Sequence, residues 1–435
     1  MAGKSPKSGK DKADHSPPAA DSSVTEQAKT FSPHLRARNN YINKHKNVLF
    51  GRGRFLEYSA GIFSEIPQYK VRREIAEIGE KVTGFEVTSH SVSSVVDLVR
   101  DARSEADAKF DSRHDVLLFR DCVLDLNTFE RKPHSPIYRA TSKLPFDYAP
   151  EKTSAAWGRW GRDVLPDVLK FLEEYGGLCL TTETRHELTL WLVGMPGCGK
   201  GTYIEALRAA LGPQRWTTLS AKDVAGRFGL VSLAGKTLAI SAEAPPIHRG
   251  RYTDIVNTII SGEPIKVEEK SQPAYDLIPR CKLVWAMNNL PVVNEANNGI
   301  FRRACVVKME QVEEQDMSLK ASIAADGQAL VNVFVAGLRR LRERGKFDVP
   351  PSVRAATSDF QRDSDHVLLF IEDRTVKETD HREKSIEVFT AYRQWCDEHG
   401  IRNILNSVTL RPQIERLGFR YKRSNGSWYE GLKLV

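Results

Sequence analysis

A glycine-rich stretch near the middle of the chain constrains its fold more than any other feature. An apolar segment typical of a buried strand, LTLWLVG, leads through GMPGCGKGT into a helical pattern from Thr202 to Leu211. Strand, glycine-rich turn and helix in this order are the context in which such a sequence forms a phosphate-binding loop. The glycines let the backbone wrap closely around phosphates, and the amide groups at the helix start attract anionic oxygens. The sequence therefore predicts a nucleoside triphosphate site.

The loop itself supplies the predicted ligands of the nucleotide. Lys200 is expected to reach the β- and γ-phosphates. The strict pattern has Ser or Thr directly after this lysine, whereas Gly201 stands there and Thr202 follows one position later. We therefore expect Thr202 either to reach Mg²⁺ through water or only to hold the loop. The predicted ATP-binding residues are Gly194, Met195, Pro196, Gly197, Cys198, Gly199, Lys200, Gly201 and Thr202.

Polar and charged residues flank the next predicted strands. KTLAISA leads to Glu243, CKLVWAMN ends in Asn288, and Arg302 and Arg303 precede ACVVKM. In ATPases an acid holds Mg²⁺ or polarises the attacking water, and an arginine, often from a neighbouring subunit, neutralises the transferred phosphoryl group. An amide such as Asn288 can contact the γ-phosphate or that water. Ala242 leaves Glu243 as the sole acid at its strand end, and each of these residues alone is also compatible with an ordinary surface or turn position.

A charged hairpin is predicted between two of these strands. The segment IISGEPIKVEEKSQPAYDLIP places Lys266 and Lys270 near the tip of a β-hairpin. In a ring-shaped motor such lysines face the central channel and contact DNA phosphates. The alternative is a merely solvated hairpin, because Glu268 and Glu269 alternate with the lysines.

Composition and turn residues divide the chain into five segments. The first is rich in Ser, Pro, Lys and Ala with almost no large apolar residue, which predicts a disordered tail. The second segment has helical spacing and short strands, and the third is helical. The fourth alternates strands and helices, and the fifth contains two helices and a hairpin. The predicted segments are a basic tail (1–40), an N-terminal α+β domain (41–153), a helical linker (154–185), an α/β domain (186–345) and a C-terminal domain (346–435).

The C-terminal block is typical of a winged helix that binds DNA. EKSIEVFTAYRQWCDEHG predicts a helix with Ile386 and Tyr392 on its apolar face, and SVTLRPQIERLG predicts a second one. FRYKR and WYEGLKL flank an Asn-Gly turn, a strong hairpin signal. From residue 401 onward seven basic residues face two acidic ones, which favours phosphate binding. The predicted DNA contacts here are Arg420, Lys422 and Arg423.

Several classes of protein are disfavoured by the sequence. The net charge of +8 permits a polyanionic partner without proving one. No two of the six cysteines form a CxxC pair, so a zinc ribbon is disfavoured and free thiols in a reducing compartment are expected. The N-terminal segment lacks the apolar region of a secretory signal, and no apolar run approaches a membrane span. A cytoplasmic protein without a membrane partner is expected. GKGT also occurs in nucleoside-monophosphate kinases, but there the loop lies close to the N-terminus.

As an ordered set, these motifs resemble the superfamily 3 helicases, specifically the phage/plasmid/poxvirus primase-helicase family. The segments that carry the resemblance are RFGLVSLAGKTLAISAE, SGEPIKVEEK, NNLP and NNGIFRR. By this match Lys270 is the hairpin lysine that couples hydrolysis to strand movement, and Asn288 is the sensor residue. Arg303, ahead of its neighbour Arg302, is the arginine finger. Ala242 departs from the two-acid version of the pattern, which leaves thin protein ligation of Mg²⁺.

The resemblance implies a fold and an activity. The expected fold is α/β: a P-loop NTPase (AAA+-like) motor with an N-terminal α+β domain and a C-terminal winged helix. The expected activity is an ATP-dependent DNA helicase that uses ATP and Mg²⁺ and moves on single-stranded and forked DNA as a homohexamer. It would replicate a phage, plasmid or related mobile element in the host cell cytoplasm. The alternative is an origin-binding replication initiator whose ATPase drives assembly.

A primase activity is not expected from this sequence. A catalytic primase needs a cluster of metal-binding carboxylates on a substantial fold, whereas Asp121 and Asp125 lie in a short, turn-rich stretch. A separate primase and a polymerase are therefore expected as partners.

Overall fold

The computed structural model describes residues 31–51, 53–105, 109–241, 250–269, 274–291, 298–311, 316–401 and 404–435. The chain divides into two units. One contains the residues up to Glu57 and those from Glu65 to Ala106, and the other contains Tyr58–Ser64 and all residues from Asp107 onward.

The regular elements are numbered here in chain order. The strands are β1 (Val48–Gly51), β2 (Arg54–Ser59), β3 (Ile62–Ile66), β4 (Val116–Leu118), β5 (Val123–Asp125), β6 (Arg131–Lys132), β7 (Thr189–Val193), β8 (Trp216–Thr218), β9 (Leu238–Ser241), β10 (Ile265–Val267), β11 (Tyr275–Leu277), β12 (Lys282–Met287), β13 (Ala304–Lys308), β14 (Thr375–Lys384), β15 (Arg420–Arg423) and β16 (Ser427–Leu434). The α-helices are α1 (Pro33–Lys44), α2 (Gln68–Gly79), α3 (Ser89–Arg103), α4 (Ala155–Gly161), α5 (Pro166–Cys179), α6 (Lys200–Leu211), α7 (Ala221–Ala225), α8 (Gly250–Ser261), α9 (Asn298–Phe301), α10 (Leu319–Ala325), α11 (Gly327–Arg344), α12 (Pro351–Ser364), α13 (His366–Arg374), α14 (Ser385–Glu398) and α15 (Ser407–Arg416).

The first unit is built around α1, α2 and α3. The Ser32 side chain caps α1 by accepting from the Leu35 amide, with Pro33 in the first turn. Ala37 and Tyr41, one turn apart, are fully buried in the core of this unit. Helix α1 therefore begins inside the segment 1–40 that was predicted as a disordered tail, because its apolar face has a core to join. Residues 1–30 lie outside the described part of the chain.

The predicted N-terminal domain (41–153) is divided between the two units. Strands β4, β5 and β6 form an antiparallel sheet in the second unit. Leu117, Phe119 and Leu124 from this region are buried in the same core as the large parallel sheet. The predicted linker (154–185) is helical, but α5 is a core helix, since Phe171 and Leu172 on it are buried.

A five-stranded parallel sheet forms the centre of the second unit, with strand order β13–β7–β12–β9–β8. Its pairs are parallel throughout. Alternate residues of β7 enter different cores: Leu190 and Leu192 face one, and Trp191 and Val193 face the other. Burial on both faces explains the continuous apolar runs that predicted β7, β9, β12 and β13. The sheet is consistent with a nucleotide-binding α/β fold.

Helices cover both faces of this sheet. Helices α5, α6 and α11 contribute to the core that contains Leu190, and α8 and α12 contribute to the core that contains Trp191. Phe360 of α12 packs against Trp191 and Phe301, with ring centroids 5.2 and 5.3 Å away. Helix α12 therefore belongs to the α/β domain, and the C-terminal domain begins near Asp365 instead of the predicted residue 346.

The C-terminal domain consists of α13, β14, α14, α15, β15 and β16. Its three strands form an antiparallel sheet in the order β14–β16–β15. The predicted hairpin is present, and its turn places Asn425 at φ +49° and Gly426 at φ +125°. On α14, Tyr392 is buried as expected, whereas Ile386 is 64% exposed.

Two expectations about the whole chain can be compared with this structure. All six cysteines are free and buried. Within the described residues, no single helix has the length and apolarity needed to cross a membrane, and the bent pair α10–α11 passes that test by length and composition only.

Candidate functional site

The glycine-rich loop connects β7 to α6 at the carboxyl edge of the parallel sheet. Gly197 and Gly199 have φ values of +88° and +87°, which favour glycine. A Cβ atom at Gly194 would lie 2.3 Å from the Met309 carbonyl oxygen, and one at Gly199 would lie 2.8 Å from Trp160 Nε1. Backbone conformation and close approach therefore both require glycine in this loop.

Lys200 and Asn288, predicted from separate motifs, meet at this loop. Lys200 Nζ donates to the carbonyl oxygens of Gly194 at 2.5 Å and Met195 at 3.0 Å. It also lies 3.4 Å from Cys198 Sγ and 3.5 Å from Asn288 Oδ1. Asn288 directly follows β12, which pairs in parallel with β7, so the carboxyl ends of the two strands bring the ammonium and the amide together.

A cavity of about 420 Å³ opens beside the loop. The loop from Pro196 to Thr202 forms one side, and the remaining lining residues are Trp160, Asp163, Asp316, Met317, Leu319 and Lys320. Trp160 is buried and stacks on Tyr203 of α6, with ring centroids 5.8 Å apart. Sequence reasoning missed this side of the cavity, although the closely spaced tryptophans of AAWGRWG are an available signal.

The residues after Lys200 bear on metal binding. The Thr202 amide donates to the Gly199 carbonyl oxygen at 3.1 Å, in the first turn of α6. A Cβ atom at Gly201 would meet only Lys320 Nζ, at 3.9 Å, so a serine would fit there. Glu243 lies outside the described residues, and within the described ones no group of three or more His, Cys, Asp or Glu side chains could hold a metal ion. Thr202 is the hydroxyl-bearing residue of the loop that lines the cavity.

Arg302 and Arg303 lie at the amino ends of the parallel strands, whereas the loop lies at the carboxyl ends. They precede β13, and the Thr189 amide at the start of β7 donates to the Arg303 carbonyl oxygen at 2.8 Å. The Arg303 guanidinium is buried, with Glu187 Oε2 at 2.7 Å and Ser261 Oγ at 3.0 Å. Arg302 is exposed. The structure thus does not bring either arginine to the loop of its own chain.

The predicted charged hairpin is formed by β10 and β11. Lys266 is exposed on β10, opposite Asp276, and Lys270 lies outside the described residues. Glu268 pairs with Arg227, whose Nε lies 2.5 Å from the carboxylate. Next to Arg227, Phe228 is 49% exposed. The contact of Arg227 with this hairpin is not predictable from a sequence motif.

The basic residues of β15 are exposed, and they differ in their partners. Lys422 Nζ lies 2.9 Å from Glu430 Oε1, and its hydrogen bond keeps the pKa of that carboxyl below its usual range. Arg420 and Arg423 are exposed on the same strand. Arg416 pairs with Asp365, the residue that caps α13, and so has a structural contact.

Asp121 and Asp125 both make structural hydrogen bonds. Asp121 accepts from the Tyr148 amide at 2.9 Å. Asp125 accepts from the Asn127 amide at 2.8 Å and pairs with Lys132 at 2.5 Å, and the hydrogen bond from Lys132 lowers the pKa of its carboxyl. Both carboxylates therefore have structural partners.

Comparisons with known families match three parts of the chain. Residues 38–166 match the D5 N terminal like family, and residues 362–430 match the Poxvirus D5 protein-like family. Residues 192–303, which contain the whole glycine-rich loop and strands β8, β9 and β12 of the parallel sheet, match a family of unknown function, DUF5906. No curated protein matches the sequence significantly.

Solved structures of the NrS-1 C terminal region are similar to this chain. The apo structure of region 305-718 has a TM-score of 0.52 at 10% identity and covers 93% of this chain and 100% of that chain. An A form apo structure has a TM-score of 0.49 at 12% identity, with coverage of 89% and 87%. At such identity the first likeness shows a shared fold alone.

Two separate parts of the chain, 38–166 and 362–430, are thus similar to D5-like families.

Proposed function

We propose that this chain is an ATP-dependent DNA helicase that acts as a homohexameric ring in the replication of a phage, plasmid or related mobile element. The observation that carries the proposal is the position of Lys200 Nζ inside the glycine-rich loop, 3.5 Å from Asn288 Oδ1. A lysine in a glycine-rich loop and a polar residue on the adjacent strand are the parts that position and stabilise a transferring phosphoryl group.

In this proposal the loop binds the polyphosphate of ATP. The Lys200 ammonium exchanges its contacts with the Gly194 and Met195 carbonyl oxygens for β- and γ-phosphate oxygens, and the loop amides complete the cradle. Bound Mg²⁺ would neutralise charge on the phosphates, with Thr202 as its protein ligand directly or through water. Asn288 orients the attacking water, and Glu243 polarises it.

The arginine that completes the site comes from a neighbouring subunit. Both candidates lie at the sheet edge away from the loop of their own chain, so a head-to-tail contact between copies is needed to bring one to a nucleotide. Arg303 is buried and bonded to Glu187 and Ser261, whereas Arg302 is exposed. These contacts favour Arg302 as the arginine finger, in place of Arg303, which the motif resemblance put first.

DNA is contacted at two surfaces in this proposal. Lys266 and Lys270 of the β10–β11 hairpin would hold single-stranded DNA in the ring, and Arg420, Lys422 and Arg423 of the C-terminal domain would hold duplex DNA at a fork. The order of helices and strands in that domain supports a winged helix. A separate primase and polymerase would act with the protein, in the host cell cytoplasm.

Unwinding of a forked duplex tests the helicase proposal. The wild type is expected to separate the strands with ATP and Mg²⁺, and Lys200→Ala is expected to lose ATP hydrolysis and unwinding by about a hundred-fold or more, because a phosphate-stabilising donor is lost. Lys170→Ala, which removes an exposed lysine of α5 away from the cavity, is the matched control and should retain both activities.

The rival functions give different results in the same assay. ATP hydrolysis without unwinding, together with tight binding to one duplex sequence, would contradict the helicase proposal and support an origin-binding initiator. The exposed Arg420 and Arg423 are the observation that favours this second candidate. Phosphoryl transfer to a nucleoside monophosphate would instead indicate a kinase.

A further inference from the structure

A second lysine, which belongs to none of the sequence motifs, lies beside the glycine-rich loop. Lys320, the second residue of α10, lines the same cavity as Gly199, Lys200 and Thr202. Its Nζ atom lies 3.9 Å from the point where a Cβ atom at Gly201 would be. In the strict loop pattern this position carries the Ser or Thr hydroxyl that binds Mg²⁺. Here the space holds no side chain, and the group that faces it is an ammonium.

The position of Lys320 is fixed by the packing of its helix. Ile323, one turn further along α10, is fully buried in the core that also contains Tyr203 and Leu207 of α6. Just before α10, Asp316 pairs with Arg159 of α4 at 3.0 Å, and the same carboxylate accepts from the Ser318 amide at 2.9 Å. Helix α10 is therefore held against α6, the helix that begins with Lys200, and its first turn faces the loop.

We propose that Lys320 is a second phosphate-binding residue of the site, acting in the same chain as Lys200. This inference rests on the proposed ATP function and adds a residue to it. The ammonium is a compact charge on a flexible stem, so it can reach a phosphate oxygen of a nucleotide lying along the loop. Two carboxylates line the cavity, Asp163 and Asp316, and the second pairs with Arg159 at 3.0 Å.

The absence of a hydroxyl at Gly201 should change how nucleotide affinity depends on Mg²⁺. A loop whose only hydroxyl, that of Thr202, stands one position later than in the strict pattern holds Mg²⁺ less firmly, and a second ammonium supplies positive charge beside Gly201. Nucleotide affinity should therefore depend less on Mg²⁺ in this protein than in one with the strict pattern. Removing the Lys320 ammonium should therefore make nucleotide affinity depend more strongly on Mg²⁺.

Nucleotide binding to the full chain, measured by titration calorimetry with a non-hydrolysed ATP analogue, tests this inference. The titration is done once with Mg²⁺ and once with EDTA. In EDTA, Lys320→Ala should weaken binding about ten-fold or more, because a charge-assisted hydrogen bond is lost, and the loss should be smaller with Mg²⁺. Lys320→Arg should retain most of the affinity, and Lys170→Ala should bind as the wild type does.

The outcomes separate this inference from the proposed function. If the wild type and Lys170→Ala bind the analogue, Lys200→Ala does not, and Lys320→Ala binds as well as the wild type in EDTA, the role of Lys320 is overturned and the ATP site stands. If the wild type does not bind the nucleotide at all, the proposed function itself fails. Thermal unfolding of each variant shows whether a loss of binding comes from misfolding.

Discussion

Two adjacent arginines of this protein have different environments and therefore different expected roles. Arg303 is buried, and its guanidinium joins the turn before β7, the end of α8 and the short helix α9 through Glu187, Ser261 and the Gly299 carbonyl oxygen. Arg302 projects from the surface. Arg303 thus holds three elements together, whereas the neighbouring Arg302 is exposed and can contact another molecule.

Single substitutions at these arginines should give opposite results. Arg303→Ala should lower the free energy of unfolding by about 2 kcal/mol, since it removes a charged hydrogen-bond network while leaving the half-exposed Glu187 able to reach water. Arg302→Ala should leave the melting temperature unchanged and lower the ATPase rate by about a thousand-fold. Thermal unfolding and steady-state ATP hydrolysis measure the two effects. A stable, inactive Arg303→Ala protein would contradict the assignment.

The residues of the site differ in how far the sequence predicts them. Lys200 and Asn288 are predictable because each follows or ends a recognisable strand, and parallel pairing then brings them together. Trp160 and Lys320 are not, because α4 and α10 reach the loop only through packing on Tyr203 and around Ile323. A motif is a local pattern, whereas the far side of a cavity is formed by tertiary contacts.

At the level of elements, a buried histidine links α13 to α14. His366 Nδ1 lies 3.0 Å from the Tyr392 hydroxyl, which also accepts from the Leu405 amide at 3.2 Å. Burial lowers the pKa of His366, although the charge of Asp365 opposes this. With the Tyr392 hydroxyl as donor, a neutral Nδ1 is its acceptor, and protonation of His366 would remove that acceptor between the two helices.

This contact predicts an acid sensitivity of the C-terminal domain. The folded protein binds a proton at His366 less well than the unfolded chain does. The contribution of neutral His366 to the free energy of unfolding is therefore complete above the ordinary histidine pKa of about 6.5, and it falls as the pH drops below that value. His366→Gln can still accept from Tyr392 and cannot be protonated. Thermal unfolding between about pH 7.5 and 5.5 should show a smaller fall in melting temperature for the variant. Equal slopes for both proteins would rule out His366 as the titrating group.

The strands of the parallel sheet show how far a pattern of apolar residues predicts structure. Strands β7, β9, β12 and β13 are visible in the sequence as apolar runs because both of their faces are buried. Strand β8 is missed, since Trp216–Thr218 is three residues long and rich in threonine. Helix α12 is not predicted from the sequence, and its place in the α/β domain follows only from the tertiary packing of Phe360 on Trp191.

At the scale of the whole molecule, the sheet separates the two halves of the proposed catalytic site. The glycine-rich loop lies at the carboxyl edge, and Arg302 precedes β13 at the amino edge. Strand β7, with five residues, spans roughly 15 Å between these edges. In the proposed function, the loop and the arginine of one chain therefore face different directions, and a closed ring would join each loop to the arginine of a neighbouring copy.

A mixing experiment tests this division. Lys200→Ala keeps an intact arginine but binds no nucleotide, and Arg302→Ala keeps an intact loop but lacks the finger, so each protein alone should be inactive. When the two are mixed in equal amounts and allowed to exchange subunits, about a quarter of the contacts between neighbours should pair an intact loop with an intact Arg302. ATPase activity should reappear at about that fraction of the wild-type rate.

A double variant, Lys200→Ala with Arg302→Ala, mixed with Lys200→Ala cannot form such a contact and serves as the control. Failure of the first mixture to recover activity, with mixed oligomers demonstrated by mass, would show that the arginine does not act between subunits.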